Sequence, residues 1–271
     1  MNWWLTGDTH GNSHLRVDVL LQRIEVLKEE KEETALIILG DAGFNYYLNK
    51  KDKRLKKEAE DKGVYVYCVR GNHEARPQHI KGMKRVYDVN VMGEVWMEEE
   101  YPHIRYFDDW GIYVLGTKRV LVIGGAYSVD KFYRIKNHLM WFGDEQLTEN
   151  EMRNCADTVK NQCFDMVLSH TCPWSFQPTD LFLKVVDQSS VDNTMERWME
   201  EIKDTFNWGV WCFGHYHADR IENLYVEQFF TEIESLDEIT HRWREYAATG
   251  NLHWWLPKSP HLERVLEGEQ T

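Results

Sequence analysis

The chain reads as an α/β protein with two sheets of different texture, and three observations say so. Between Trp3 and Val69, short apolar runs alternate with amphipathic stretches, the strand-helix-strand rhythm of a largely parallel sheet. From Ile104 the pattern shifts to short strands separated by tight polar turns, which predicts an antiparallel meander opening a second sheet. The third observation is positional. Each of the first three apolar runs leads into a glycine followed by Asp8, Asp41 or Asn72, and in open α/β sheets functional side chains gather beyond the carboxyl ends of strands.

Taken in order, Trp3 to Thr6 predicts a strand, Leu15 to Glu30 a helix with Leu15, Val19, Ile24 and Leu27 among its apolar positions, and Leu36 to Leu39 a second strand. Charged residues from Asn49 to Lys62 predict an exposed helix, and Val64 to Val69 a third strand. The meander is expected over Arg105 to Phe107, Gly111 to Leu115 and Val120 to Ile123. A polar helix over Asp144 to Lys160 leads to a buried-type strand over Met166 to Leu168, and Pro173 then breaks regular structure. Ser190 to Asp204 predicts a helix, Val210 to Phe213 a strand and Ile221 to Phe230 an alternating strand. With no internal repeat, low-complexity tract or linker, residues 1–271 are expected to form a single domain, with a C-terminal extension from about residue 231 that carries Trp254 and Trp255.

Hydrophobic residues make up 42% of the sequence and charged residues 28%, a balance that supports a substantial core and excludes a disordered chain. The net charge of −13 opposes loose attachment to nucleic acid or anionic membrane. It also repels phosphate at long range, so a phosphate-handling site here must draw its attraction from bound cations and a few nearby Arg or Lys. The five cysteines are odd in number and contain no Cys-x-x-Cys pair, which fits a reducing cytoplasm. The N-terminus has no basic region followed by an apolar stretch, and no apolar run approaches the length of a membrane span.

Seven residues read as one metal site: Asp8 and His10 in Gly-Asp-Thr-His-Gly, Asp41 in Gly-Asp-Ala-Gly, Asn72 in Gly-Asn-His-Glu, His170 in Ser-His-Thr, and His215 with His217 in Gly-His-Tyr-His. Residues two apart project to the same side of extended backbone, so Asp8 with His10, and His215 with His217, can each converge on one point. Carboxylate, imidazole and amide ligands of this kind can hold two divalent cations close together, an arrangement suited to hydrolysing phosphate esters. Asp41 is the candidate bridge, because a shared carboxylate offsets the repulsion between the ions. Asn72 offers a neutral oxygen, leaving the cations more uncompensated charge than a third carboxylate would. His73, beside Asn72, can protonate the departing oxygen or stabilise charge in the transition state. Manganese, iron and zinc all suit this mixed ligand set.

These blocks resemble the calcineurin-like metallophosphoesterase superfamily: Gly-Asp-x-His, Gly-Asp, Gly-Asn-His-Asp/Glu, a lone His and Gly-His-x-His are matched in order from Gly7 to His217. The resemblance implies one metal held by Asp8, His10, Asp41 and His217, another by Asp41, Asn72, His170 and His215, and His73 as the catalytic histidine. It also implies two mixed sheets packed face to face with helices outside, and a metal-bridging hydroxide that attacks phosphorus in line. The serine/threonine protein phosphatase branch carries an Asp and an Arg where this chain has Phe44 and Asn45, although Arg70 is similar to that branch. The segment from Gly124 to Lys131, running on to Arg134, instead resembles a bacterial and phage group of metallophosphoesterases.

Arg70, Arg76, Lys131 and Arg134 are the candidates for binding substrate phosphate. Glu74 is expected to be a structural hydrogen-bond partner, and Lys50 to Lys57, interleaved with Asp52, a solvated helix face. Trp3, Trp4, Trp208 and Trp211 are expected to pack in or near the core. Cys172 lies near His170 in sequence, but the oxygen and nitrogen ligand set is complete without it. The expectation is a cytoplasmic two-metal phosphoesterase acting on a phosphomonoester or phosphodiester, with no membrane partner. Its alternatives are a nucleic-acid-processing nuclease, which the acidic charge disfavours, and a non-catalytic scaffold of the same fold.

Overall fold

The apolar runs sort into two mixed sheets in the computed structural model, which describes residues 1–28, 30–223 and 225–249. Strands β1 (Asn2–Thr6), β2 (Thr34–Ile38), β3 (Tyr65–Cys68), β4 (Met83–Asp88), β5 (Gly93–Glu98) and β6 (Ile104–Tyr106) lie in the first sheet with β13 (Glu234–Ser235), in the order β13-β1-β2-β3-β6-β5-β4. The second sheet holds β7 (Trp110–Leu115), β8 (Lys118–Ile123), β9 (Cys163–Ser169), β10 (Asn207–Phe213), β11 (Arg220–Asn223) and β12 (Val226–Gln228), in the order β11-β12-β10-β9-β8-β7. Within each sheet the central strands run parallel: β1, β2, β3 and β6 in one, β8, β9, β10 and β12 in the other.

Side-chain alternation explains the layers. Leu5, Ile37 and Tyr67 of the first sheet share one buried cluster with Val122, Leu168 and Val210 of the second, so the sheets pack face to face. The opposite residues of the first sheet, including Trp4, Leu36 and Val66, pack under α1 (Ser13–Leu27) and α2 (Lys50–Glu60) through Val17, Leu20 and Leu55. Leu121, Val167 and Trp211 of the second sheet meet Met152 and Cys155 of α4 (Glu149–Val159) and Met195 and Met199 of α5 (Thr194–Ile202). Strands buried on both faces read as continuous apolar runs, which is why these were visible in the sequence. Trp3, Trp4 and Trp211 are buried and Trp208 is partly buried against the second outer layer.

The meander expected from Arg105 to Ile123 is divided between the sheets. β6 pairs parallel with β3 in the first sheet, and only β7 and β8 form an antiparallel hairpin in the second. Phe107 sits in the inter-sheet cluster at this crossing, so the chain changes layers through Asp108 and Asp109 where the sequence suggested a simple turn. The β4–β5 hairpin carries exposed Lys84, Arg85 and Glu94, and its charged outer face hid it from a hydrophobic pattern. The single strand expected over 221–230 is instead the antiparallel pair β11 and β12. The 50–57 run is mostly solvated, but Lys56 turns inward to pair with Glu98.

Beyond residue 231 the chain forms α6 (Leu236–Thr249), whose Leu236, Ile239 and Trp243 enter the inter-sheet cluster. Arg242 of the same helix donates to Glu227 at 2.7 and 2.9 Å and to Glu234 at 2.7 Å. Trp254 and Trp255 lie outside the described residues. Among the described residues no helix is long and apolar enough to cross a membrane. Replacing Trp243 with Ala is expected to lower the unfolding free energy by about 3–5 kcal/mol, read by urea titration; an unchanged midpoint would make α6 an appendage.

Candidate metal centre

Strand ends from both sheets deliver the candidate ligands. Asp8 and His10 follow β1, Asp41 follows β2, Asn72 follows β3, His170 follows β9, and His215 with His217 follow β10. Their atoms meet: Asp8, His10 and His217 form one cluster, and Asp8, Asp41 and His170 another, with the potential ligand atoms of each within 4.8 Å of one another. Asp8, Asp41, Asn72 and His170 are buried, whereas His10 and His217 face the opening.

Backbone amides orient the two carboxylates. The His215 amide donates to Asp8 Oδ1 at 2.9 Å, and the His73 amide to Asp41 Oδ1 at 2.8 Å. Each carboxylate thus turns its other oxygen inward. Asp8 Oδ2 is buried without a hydrogen-bond partner, 3.2 Å from His217 Nε2 and 3.9 Å from His10 Nε2. Asp41 Oδ2 lies 3.8 Å from His170 Nε2 and 3.9 Å from His10 Nδ1.

The decisive contact is between His170 and Asn72. His170 Nδ1 lies 2.8 Å from the Leu39 carbonyl, which can only accept, so the ring proton sits on Nδ1 and Nε2 presents a lone pair. Asn72 Nδ2 donates to Ser128 Oγ at 2.8 Å, which turns Asn72 Oδ1 inward, to 2.8 Å from that same Nε2. Two acceptors facing each other at this distance repel unless a cation or an added proton stands against both. His10 Nε2 and His217 Nε2 lie 2.9 Å apart at the mouth of the same cluster. Imidazole nitrogen, carboxylate oxygen and amide oxygen are the donors that manganese, iron and zinc accept, so the residues present fit divalent cations.

Charge follows the same geometry. Burial works to raise the Asp41 carboxyl, but His170, His73, His10 and the His73 amide outweigh it and hold its pKa at about 2. Desolvation, reinforced by His170, lowers His215 to about 3, while the neighbouring Asp8 carboxylate raises His217. Burial and the nearby Asp41 push Glu74 up to about 8. Glu74 accepts from the Gly43 amide at 2.9 Å and the Gly71 amide at 3.3 Å, bracing the loops that carry Asp41 and Asn72. No side chain fits at Gly71, where a Cβ would collide with the Asp41 carboxylate, nor at Gly40, where it would strike the His170 ring.

His73 lies at the rim, and burial with Arg134 nearby lowers its pKa despite the opposing Asp41 charge. Arg134, on α3 (Lys131–Lys136), is gripped by Asp130 at 2.8 Å to each oxygen and by the Tyr46 hydroxyl at 2.7 Å, and its Nη2 lies 3.3 Å from His73 Nε2. The other three cations named as phosphate binders are not brought to the opening. Arg70 and Arg76 are buried against Asp109, with Arg76 also 2.6 Å from Glu151. Lys131 lies over the Trp141 ring at 4.6 Å. Cys172 is buried, with Sγ 3.9 Å from the Tyr216 hydroxyl and outside both clusters.

Ser128 and Glu145 were missed by sequence reasoning. Ser128 orients the Asn72 amide and is itself fixed by Glu145, which accepts from Ser128 Oγ at 2.5 Å and from Trp141 Nε1 at 2.9 Å. The only sequence signal was the Gly-Gly-Ala-Tyr-Ser run after a strand, which marks a strand-end loop without naming a role.

The sequence pattern of the calcineurin-like phosphoesterase family matches residues 1–219. No curated protein matches the chain. Among solved structures, a phosphopantetheinyl hydrolase from Mycobacterium tuberculosis aligns with 96% of this chain and 96% of its own at 12% identity, with a TM-score of 0.41. A protein of unknown function from Aquifex aeolicus aligns with 64% of this chain and 80% of its own at 16% identity, with a TM-score of 0.28.

Two outcomes are expected. Manganese at about 100 times its dissociation constant stabilises the protein by about 2.7 kcal/mol in thermal denaturation, and Asp8→Asn removes most of that gain; an identical shift in the variant would count against Asp8. Asp109→Ala leaves the buried Arg70 guanidinium without its carboxylate partner and removes one of those of Arg76, and is expected to cost about 3–5 kcal/mol in urea titration.

Proposed function

The chain belongs to the calcineurin-like phosphoesterase family, and on that premise we propose that its strand-end cluster hydrolyses phosphate esters with two divalent cations. Asp8, His10, Asp41 and His217 would hold one cation, and Asp41, Asn72, His170 and His215 the other. The opposed lone pairs of His170 Nε2 and Asn72 Oδ1, 2.8 Å apart, carry this reading. Bound there, manganese, iron or zinc would supply Lewis-acid charge to the phosphoryl group and make water a stronger nucleophile at neutral pH.

The chain's own groups do the rest. The amides of His215 and His73 hold the carboxylates still, so little reorganisation is needed as charge develops. Arg134 can only donate, so its contact engages the His73 Nε2 lone pair. A phosphoryl oxygen entering between them offers Arg134 a stronger, charged acceptor. His73 Nε2, released from that contact, can take up a proton from solvent and pass it to the departing ester oxygen, returning to the neutral ring. Because Trp243 reaches the inter-sheet core beyond the family match, which ends at residue 219, the whole described chain is read as one domain.

Asp41→Asn, assayed with elemental analysis on a panel of monoesters, diesters, nucleotides, phosphopeptides and nucleic acids, is expected to lower turnover by about three orders of magnitude or more. Full metal loading with unchanged turnover would end the bridging role. His73→Ala is expected to lower kcat by about 10²- to 10⁴-fold while leaving bound metal in place.

A further inference from the structure

Resting on the phosphoesterase reading above, we propose that the substrate is a phosphodiester with one apolar arm and one anionic arm. Two cavities meet at the candidate centre, and both are lined by Asp41 and His73. One, of about 600 Å³, runs past Tyr46 and Tyr47 to Lys51 and Arg54 on the outer face of α2. The other, of about 380 Å³, runs between Tyr127, Phe182, Leu183, Val186 and Tyr216. A monoester has a single organic arm and fills one of them. The two arms of a diester diverge from phosphorus and occupy both.

The cavities differ in chemistry. In the second, Phe182 stacks on Tyr216 with ring centroids 6.1 Å apart, while Leu181 and Leu183 remain 41% and 60% exposed at its margin. Apolar surface left open beside a polar centre favours an aromatic or aliphatic group. In the first, the Lys51 ammonium rests over the Tyr47 ring at 3.7 Å. Arg54 faces Glu58 at 3.5 Å across an exposed pair, a contact that solvent weakens and a phosphate can replace. In a chain of net charge −13, Lys51, Arg54 and Arg134 outnumber Asp41 and Glu58 along this cavity, a local balance that favours an anionic arm. Hydrolysis adds water across one P–O ester bond: the water oxygen bonds to phosphorus, and the departing oxygen keeps the bonding pair and takes up a proton. A phosphomonoester and an alcohol result.

The test uses the manganese-loaded full chain and p-nitrophenyl phosphate beside two p-nitrophenyl phosphodiesters, whose second arm is methyl or phosphoethyl. Both diesters should turn over faster than the monoester, and the phosphoethyl diester should exceed the methyl diester by about tenfold in kcat/KM. That ratio should collapse in the Lys51→Ala/Arg54→Ala double variant and persist in Lys57→Ala, which removes a cation paired with Asp61 elsewhere on the same helix. Phe182→Ala should raise KM for both diesters. A monoester preferred over both diesters overturns the inference and leaves the phosphoesterase reading intact. Equal rates for the methyl and phosphoethyl diesters overturn the anionic arm. No hydrolysis of any ester by metal-loaded protein overturns the phosphoesterase reading itself.

Discussion

Acceptor atoms crowd the strand ends of both sheets with too few protons to reconcile them, and this constraint organises the molecule. Asp8 Oδ2, Asp41 Oδ2, Asn72 Oδ1 and His170 Nε2 all point inward, and the partner atom on each side chain is already committed to the surrounding chain. A group so fixed cannot rotate away to relieve repulsion. The apolar layers make this tolerable, because close-packed interiors transmit strain instead of absorbing it. Burial of Leu5, Ile37, Val122 and Leu168 between the sheets holds the strand ends in register while the loops beyond them carry electrostatic conflict.

The backbone shows the same conflict. Nine non-glycine residues among those described have positive φ, and four of them, His10, Asp41, His215 and His217, are candidate ligands. Each such conformation costs on the order of 1–3 kcal/mol and persists only where neighbours over-determine it. Those neighbours are present. The His10 amide donates to the Asp41 carbonyl at 2.7 Å, and the Gly11 amide to the Ala42 carbonyl at 3.0 Å. The Ala42 carbonyl also accepts from Ser13 at 2.8 Å and Thr9 at 3.1 Å. The loops after β1 and β2 are therefore locked to each other, which couples the position of His10 to that of Asp41.

Much of this was legible because the signals are local. Gly-Asp-Thr-His and Gly-His-Tyr-His declare themselves within a few residues, and strands buried on both faces announce their ends as apolar runs stop. What stayed hidden depends on distant partners. Arg70 and Arg76 look like phosphate binders until Asp109, more than 30 residues away in sequence, claims both. The assignment of β6 to the first sheet turns on its pairing with β3, which no turn composition reveals. α6 has a polar exterior and only a narrow apolar stripe, so its contribution to the core emerges from packing against β1 and β10. Ser128 was marked only by the glycine-rich run before it, which names no role; its importance lies in one hydrogen bond to Asn72.

That bond gives the segment from Gly124 to Arg134 a double role. Ser128 sets the orientation of a candidate ligand, while Tyr127 and Val129 on either side of it line the apolar cavity, and Arg134 at the far end meets His73. Adjacent residues in extended or turning backbone face different ways, so one short stretch can fix the centre and shape the wall at once. Ser128 is buried and held by Glu145, but Val129 is 42% exposed. Exchange at the exposed position reshapes the cavity without touching the bond that turns Asn72 inward. Specificity can therefore change within this loop while the ligand geometry stays fixed, because the two depend on side chains that share a backbone but not a face.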